Sequence, residues 1–382
     1  MTRSPALAPQ QRLYAAFALH AMTMGSLFPR MPEIKQAMGV EEGVLGLALV
    51  GTPVGTMLAL SFASPMIEKI GFRRLLLAAI PIAALFYALA VQTVAPLLFF
   101  LLLIPAGIAV GCVEIVINVE ADRTEALLKR RVMNRAHSFW SFGFFLSSIM
   151  GASFAHFGIS PQLHLGIMVP CIALMVVFFL GDFKPAPGRG GADAPASGFA
   201  HPTGPIILLV LVTLSAMLME GAGIDWSAIY MDTIFASGAF VAGFAVAVVT
   251  LSQGITRYFA DGFVDKYSPV AVGRALLLCM GAGILLILFP VSAVISLIGF
   301  AMLGIGTSVL FPLAMSAAAQ RTDRPATVNV AALAQISFGA FLAGPPLLGL
   351  VAEHFGIQWV YGAGLPLVLL SLLLVKVLDG RD

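Results

Sequence analysis

From Leu75 to Asn118 the chain holds a single charged side chain, Glu114, within two apolar runs separated by a short turn. A helix that crosses a bilayer needs about 20 mostly apolar residues, so this stretch can cross twice. Similar runs recur along all 382 residues. Charged residues make up 10% of the chain, against roughly 25% in soluble globular domains. Such a chain cannot cover a water-facing surface, and most of its length belongs in lipid. No run sustains the period-two alternation of strands. Helices satisfy their own backbone polar groups in hydrocarbon, so the expected fold is an all-α integral membrane bundle.

About twelve transmembrane helices are predicted. Six cover Arg12–Met31, Val44–Ala63, Leu75–Val91, Pro96–Asn118, Ala136–Phe157 and Leu163–Gly181. Six more cover Gly204–Met231, Ala239–Phe259, Val272–Phe289, Ser292–Ala319, Thr327–Val351 and Trp359–Val377. Between the sets lies a Pro-, Gly- and Ala-rich segment that reads as a flexible linker. The domain division is therefore 1–181, a cytoplasmic linker 182–203, and 204–382. With the N-terminus inside, the loop residues Lys69, Arg73, Arg74 and the basic run of 120–135 all fall on the cytoplasmic face. Arg30 and Lys35 are the exceptions. That asymmetry supports the number and parity of the spans and puts both termini of a multi-pass membrane protein inside. Met1–Gln11 reads as a cytoplasmic tail with no cleavage site. Cys112, Cys171 and Cys279 fall in separate spans and read as small packing residues.

Two short patterns repeat. Ser141-Phe-Gly…His156-Phe-Gly-Ile159 returns as Ser337-Phe-Gly…His354-Phe-Gly-Ile357, six spans later. The charged stretch Ser64-Pro-Met-Ile-Glu-Lys-Ile-Gly-Phe-Arg-Arg74 has a second version in Ala260-Asp-Gly-Phe-Val-Asp-Lys-Tyr267. This acid–base–x–Gly–x–basic pattern resembles the loop between helices two and three of the major facilitator superfamily. Ser64 stands where that family usually has Gly, Glu68 where it has Asp, and Tyr267 where the second copy would have Gly. The resemblance implies two pseudo-symmetric six-helix halves related by a parallel duplication. It also implies a cytoplasmic gate built from Glu68, Lys69, Gly71 and Arg73 in one half and Asp261, Asp265 and Lys266 in the other. Arg257, one turn before Asp261, reads as part of that gate. The Glu220-Gly…Asp225-Trp226-Ser, Arg30-Met-Pro32-Glu-Ile-Lys35 and Met133…His137…Trp140-Ser runs are similar to a bacterial subgroup of uncharacterised YbjJ-type transporters.

Ionisable and polar groups inside apolar spans are costly and usually line a pathway. Glu220 lies near the middle of span seven as a lone carboxyl, before Gly221 and Gly223, which are expected to loosen the helix. Glu114 is in span four, with Asn118 one turn on. His20 is in span one, and His137 and Trp140 are at the inner end of span five. Gln253 is in span eight; Asn329 and Gln335 are in span eleven. Asp225, Trp226, Tyr230 and Arg30 complete the candidate set for substrate binding or coupling. Each has a structural alternative: a carboxyl bonded to a neighbouring helix, a bridging histidine, an interfacial tryptophan, a capping asparagine. Glu220 is the first candidate for proton coupling and Glu114 the second.

No P-loop, nucleophile–base set or metal-ligand spacing occurs, so neither an enzyme nor an ATP-driven pump is expected, and no cofactor is needed beyond a proton gradient. The expected function is a secondary carrier for a small polar organic solute, sugar-like or vitamin-like. A drug or metabolite efflux antiporter and a transporter-like membrane sensor are the alternatives. The expected partners are the solute and the lipid bilayer, with no nucleic acid and the chain acting as a monomer.

Overall fold

Proline opens helix after helix in this chain: Pro9, Pro96, Pro161 and Pro269 each occupy the first helical position, where the missing N–H would be unpaired anyway. A computed structural model describes residues 7–188 and 200–380, without the side chains at 61, 63–65, 68 and 327. Residues 189–199 of the expected linker lie outside the described residues. In chain order the helices are α1 Pro9–Gly25, α2 Met31–Met38, α3 Glu42–Leu49, α4 Gly51–Ile70, α5 Phe72–Ala90, α6 Pro96–Leu128, α7 Met133–His156 and α8 Pro161–Leu180. There follow α9 Gly204–Asp225, α10 Ser227–Phe235, α11 Ala239–Tyr267, α12 Pro269–Leu288, α13 Ala293–Thr307, α14 Leu310–Gln320, α15 Ala326–Phe355, α16 Trp359–Gly362 and α17 Gly364–Leu374.

Eleven segments among the described residues are long and apolar enough to cross a membrane. The expected first span is the shortfall. Its helix α1 has 17 residues, about 26 Å at 1.5 Å per residue, and ends at Gly25 rather than Met31. Pro29 then belongs to a 3₁₀ turn, Phe28–Arg30, that leads into the short α2. Expected span two is split at Val50 between α3 and α4, and span ten at Ser308–Val309 between α13 and α14. Span seven breaks at Trp226. Its helix runs straight through Gly221 and Gly223, so these glycines do not loosen it; a Cβ on Gly223 would meet Val249 and Leu303. The basic loop is also shorter than expected. Helix α6 continues to Leu128, and Glu125 accepts hydrogen bonds from the amides of Val132 and Met133 to start α7.

The repeated charged stretches are helical too. Helix α4 runs to Ile70 and turns at Gly71, with φ 81° and ψ 150°. Helix α11 runs to Tyr267 and turns at Ser268, with φ 84° and ψ 150°. The backbone thus sets Ser268, not Tyr267, opposite Gly71. The two His-Phe-Gly-Ile ends also match, with Gly158 at φ 70° and Gly356 at φ 95°.

Helix α7 lies along both α1 and α11, and α3 lies along α15. Helices α4 and α6 pack backbone to backbone: a Cβ on Gly55 would stand 2.8 Å from the Ile108 nitrogen. Small residues allow such approach where water gives no driving force between helices.

Candidate functional site

Four buried or half-buried polar side chains meet where α1, α6 and α7 come together. His20 is fully buried on α1, and its Nε2 is 3.2 Å from Glu114 Oε2. Asn118, one turn along α6, donates to Glu114 Oε1 at 3.1 Å. The Asn118 Oδ1 lies 3.2 Å from His137 Nε2 on α7. The His137 ring packs edge-on against Phe17, 5.1 Å between centroids. Glu114 sits in the middle of a 33-residue helix, yet its side chain is 34% exposed. The carboxylate is therefore partly accessible at mid-helix, although it is hydrogen-bonded on both oxygens.

A second polar group gathers on the other side of α7. Arg257 on α11 donates to Glu220 Oε1 of α9 at 3.1 Å, to Ser308 O at 2.9 Å and to Ser141 Oγ of α7 at 3.0 Å. The Ser141 hydroxyl donates to Gln253 Oε1 at 3.2 Å. Arg257 and Glu220 are 11% and 15% exposed. Glu220 is therefore not a lone carboxyl, and Arg257 does not join Asp261 in a gate. It lies on the Glu220 face of α11, one turn before the gate residues. Two nitrogens, His20 Nδ1 and Gln253 Nε2, are buried here without a hydrogen-bond partner. Buried polar atoms in native structures nearly always have one.

An apolar roof adjoins this polar floor. Phe144 packs against Trp140 at 5.2 Å and against Phe28 at 5.9 Å. Phe144 clusters with Ala21, Ile224, Ala228 and Val246. Trp140 is half-buried beside it.

Other expected site residues stand elsewhere. Tyr230 is fully buried and donates to Ile287 O at 2.6 Å, within a packing cluster with Phe300 and Tyr361. Trp226 is also fully buried at the α9–α10 break, so it is not an interfacial belt residue. Asp225, half-buried, ends α9. Gln335 is exposed and accepts from the Ala200 amide, so it holds the end of the linker. Asn329 donates to Asp323 at 2.8 Å near the start of α15, and that bond holds the Asp323 carboxyl below its usual range. Arg30 is fully buried, paired with Glu33 and donating to Ile159 O at 2.5 Å.

The gate differs in its partners. Asp261 and Asp265 do meet another part of the bundle, but through the α6–α7 connection. Arg131 is 3.0 Å from Asp265, and Asn134 donates to Asp261 at 2.6 Å. Arg73 instead donates to Gly181 O at the end of α8, 2.6 Å from its Nε, which ties α5 to α8. Lys69 is exposed, and Lys266 lies over the ring of its neighbour Tyr267. The Glu68 side chain lies outside the described residues. Arg131 and Asn134 were not among the expected gate residues; the signal was the basic run itself, matched against Asp261 and Asp265.

Among the described residues no cluster of three or more His, Cys, Asp or Glu side chains has the geometry to hold a metal ion. Long apolar helices with charged and polar side chains paired between them define an integral membrane protein with a polar interior. A sequence profile of the Major Facilitator Superfamily matches residues 13–343 and again 208–382. The chain belongs to the Major Facilitator Superfamily. It is 27% identical to an uncharacterised MFS-type transporter of Yersinia pestis, over 94% of this chain and 92% of that one. It is 26% identical to the membrane protein MosC of Rhizobium meliloti, over 89% and 83%. Its fold superposes on a variant of the nucleoside transporter NupG with a TM-score of 0.76, at 12% identity over 97% of this chain and 100% of that one. A D-xylose–proton symporter gives 0.71, at 13% identity over 98% and 99%.

Proposed function

We propose that this protein is a proton-driven secondary carrier of a small, polar, sugar-like or vitamin-like solute. It would work by alternating access between an N-terminal half, 1–181, and a C-terminal half, 204–382, joined by the linker. The bacterial inner membrane, with both termini cytoplasmic, and a likeness to the YbjJ-type subgroup belong to the same reading. The observation that carries it is the polar cluster reaching from His20 to Glu220, at the centre of helices otherwise built for lipid.

Coupling falls to Glu114 rather than Glu220. A coupling carboxyl must gain and lose a proton as its surroundings change. Glu220 is held by the fixed charge of Arg257, whereas Glu114 is paired with a histidine and is the more exposed of the two carboxylates. The neighbouring Trp140 and Phe144 offer a flat apolar wall to the non-polar face of a ring.

Thermal stabilisation of the purified protein by a panel of neutral sugars, nucleosides and vitamin-like compounds would find the solute. A ligand at 100 times its Kd stabilises by about 2.7 kcal/mol. Proteoliposome uptake with and without an imposed pH gradient then tests coupling and separates import from export. Glu114→Gln should retain solute exchange and lose gradient-driven accumulation. Accumulation equal to wild type would remove Glu114 from the mechanism.

A further inference from the structure

Helix α3 begins without a cap of its own. Its N-cap residue is Glu41, whose side chain makes no capping hydrogen bond. The carboxylate of the next residue, Glu42, is taken by Lys35 at 2.6 Å. The free amides of a first helical turn need acceptors, and a cap usually takes the N2 or N3 amide. Here the N2 amide, Gly43 N, donates to Glu353 Oε2 at 3.1 Å. Glu353 lies on the last turns of α15, 310 residues further along the chain. The cap for one helix is supplied by a distant one.

The two helices meet there without side chains between them. A Cβ on Gly43 would collide with the Glu353 carboxylate and stand 3.3 Å from Leu350 Cδ2. A Cβ on Gly46 would stand 3.2 Å from Pro346 Cα, and one on Gly349 would stand 2.6 Å from Glu42 O. Glycines on both helices therefore bring the α3 amides within reach of Glu353. Parting α3 from α15 by a few ångströms would break the bond and leave the first turn of α3 uncapped. The contact lies at the other end of the bundle from the Arg131–Asp265 and Asn134–Asp261 pairs, because α3 precedes α4, whose far end turns at Gly71.

We infer that Glu353 is the latch that holds this second end of the carrier closed, by capping α3 across the interface between the halves. The inference rests on the alternating-access reading, and it makes Glu353 a positioning residue for that cycle. Its bond is to the α3 backbone, not to the polar cluster of His20, Glu114, Glu220 and Arg257.

Spin-label distances test it without a known solute. In a background with Cys112, Cys171 and Cys279 replaced by Ser, labels at Ala37→Cys and Phe355→Cys report this end. Labels at Arg130→Cys and Tyr267→Cys report the other. Losing a helix cap costs roughly 1 kcal/mol, so Glu353→Ala should raise the open-to-closed ratio at this end about fivefold. Glu353→Gln, which keeps an acceptor and loses the charge, should fall between. Gly46→Ala, which wedges the same contact, should open the same end with Glu353 intact. Unchanged distances in both Glu353→Ala and Gly46→Ala would overturn the latch. Opening by Gly46→Ala alone would leave the glycine contact as the closure and remove Glu353 from it. A carrier that transports none of the solutes tested would bear on the proposed function and leave these distances valid.

Discussion

Replacing Glu220 by Gln should destabilise the protein, and the geometry sets the size of the loss. The Arg257–Glu220 pair is separated by 3.1 Å. At an effective dielectric constant of 20, two unit charges at that distance attract by about 5 kcal/mol. Much of that attraction is offset by the cost of drying both groups. The substitution removes the attraction and leaves the Arg257 charge, 11% exposed, without its counterion. Breaking one side of a buried pair typically costs about 3–5 kcal/mol. Arg257 keeps its bonds to Ser308 O and Ser141 Oγ, so the expected loss is about 2–4 kcal/mol. Adding Arg257→Met removes the stranded charge, and the double variant should recover to within about 1 kcal/mol of wild type. Equilibrium unfolding of the four proteins in mixed detergent micelles completes the cycle. A single Glu220→Gln variant as stable as wild type would refute the reasoning. So would a double variant less stable than the sum of the two single losses.

Gly71→Ala meets no atom within 4 Å but must hold φ 81°; unfolding should show a loss of about 1–3 kcal/mol from backbone strain alone. The hydrogen bond and charge of Arg12 hold the Asp182 carboxyl below its usual range, so its contribution to stability is present above the unfolded-state value, near 3.9, and is lost as pH falls through the lower folded-state value. Thermal unfolding should therefore show Asp182→Asn less stable than wild type at pH 7, with the gap closing in strong acid. Arg131 and Asp265 are each 63% exposed, so their bond contributes at most about 1 kcal/mol and is screened by salt. Asp265→Asn should shift the spin-label distances at that end towards open at low salt and have little effect at high salt.

Much of this fold was legible because lipid demands long apolar helices and charge asymmetry marks their ends. What the sequence hid depends on backbone geometry. Proline and glycine near Pro29 and Gly25 gave no sign that the first span would end early and turn, because either residue is tolerated inside a membrane helix. The charged stretches looked like loops because their composition is polar, yet α4 and α11 carry it on a helical last turn that reaches water. Within the site, the residue types were found and their pairing was not. Glu220 and Arg257 are 37 positions apart; only the packing of α9 beside α11 joins them. Ser141 could be read as half of a repeat, but its cross-helix role needed the approach of α7 to α11 at Gly254, where a Cβ would stand 3.1 Å from Ser141 Cβ.

The repeat helps to explain why the two ends of the molecule are held in different ways. A duplication first gives both halves the same helix ends, and the matching backbones at Gly71 and Ser268, or Gly158 and Gly356, still carry that imprint. Side chains can then diverge where the halves meet. Ser141 reaches Arg257 and Gln253 across the interface, whereas its counterpart Ser337 turns to Thr213 on α9, 3.3 Å away. At one end the α6–α7 connection and α11 face each other as base and acid on exposed side chains, a contact that forms and parts at little cost. At the other end α3 and α15 close through glycines and one carboxylate on a helix amide, which requires close registration of two backbones. A carrier that alternates needs both ends to open with similar ease. A weak, solvated ion pair and a geometrically strict backbone contact can balance only if each is small, and the modest worth of an exposed ion pair and of a single helix cap keeps both within about 1 kcal/mol.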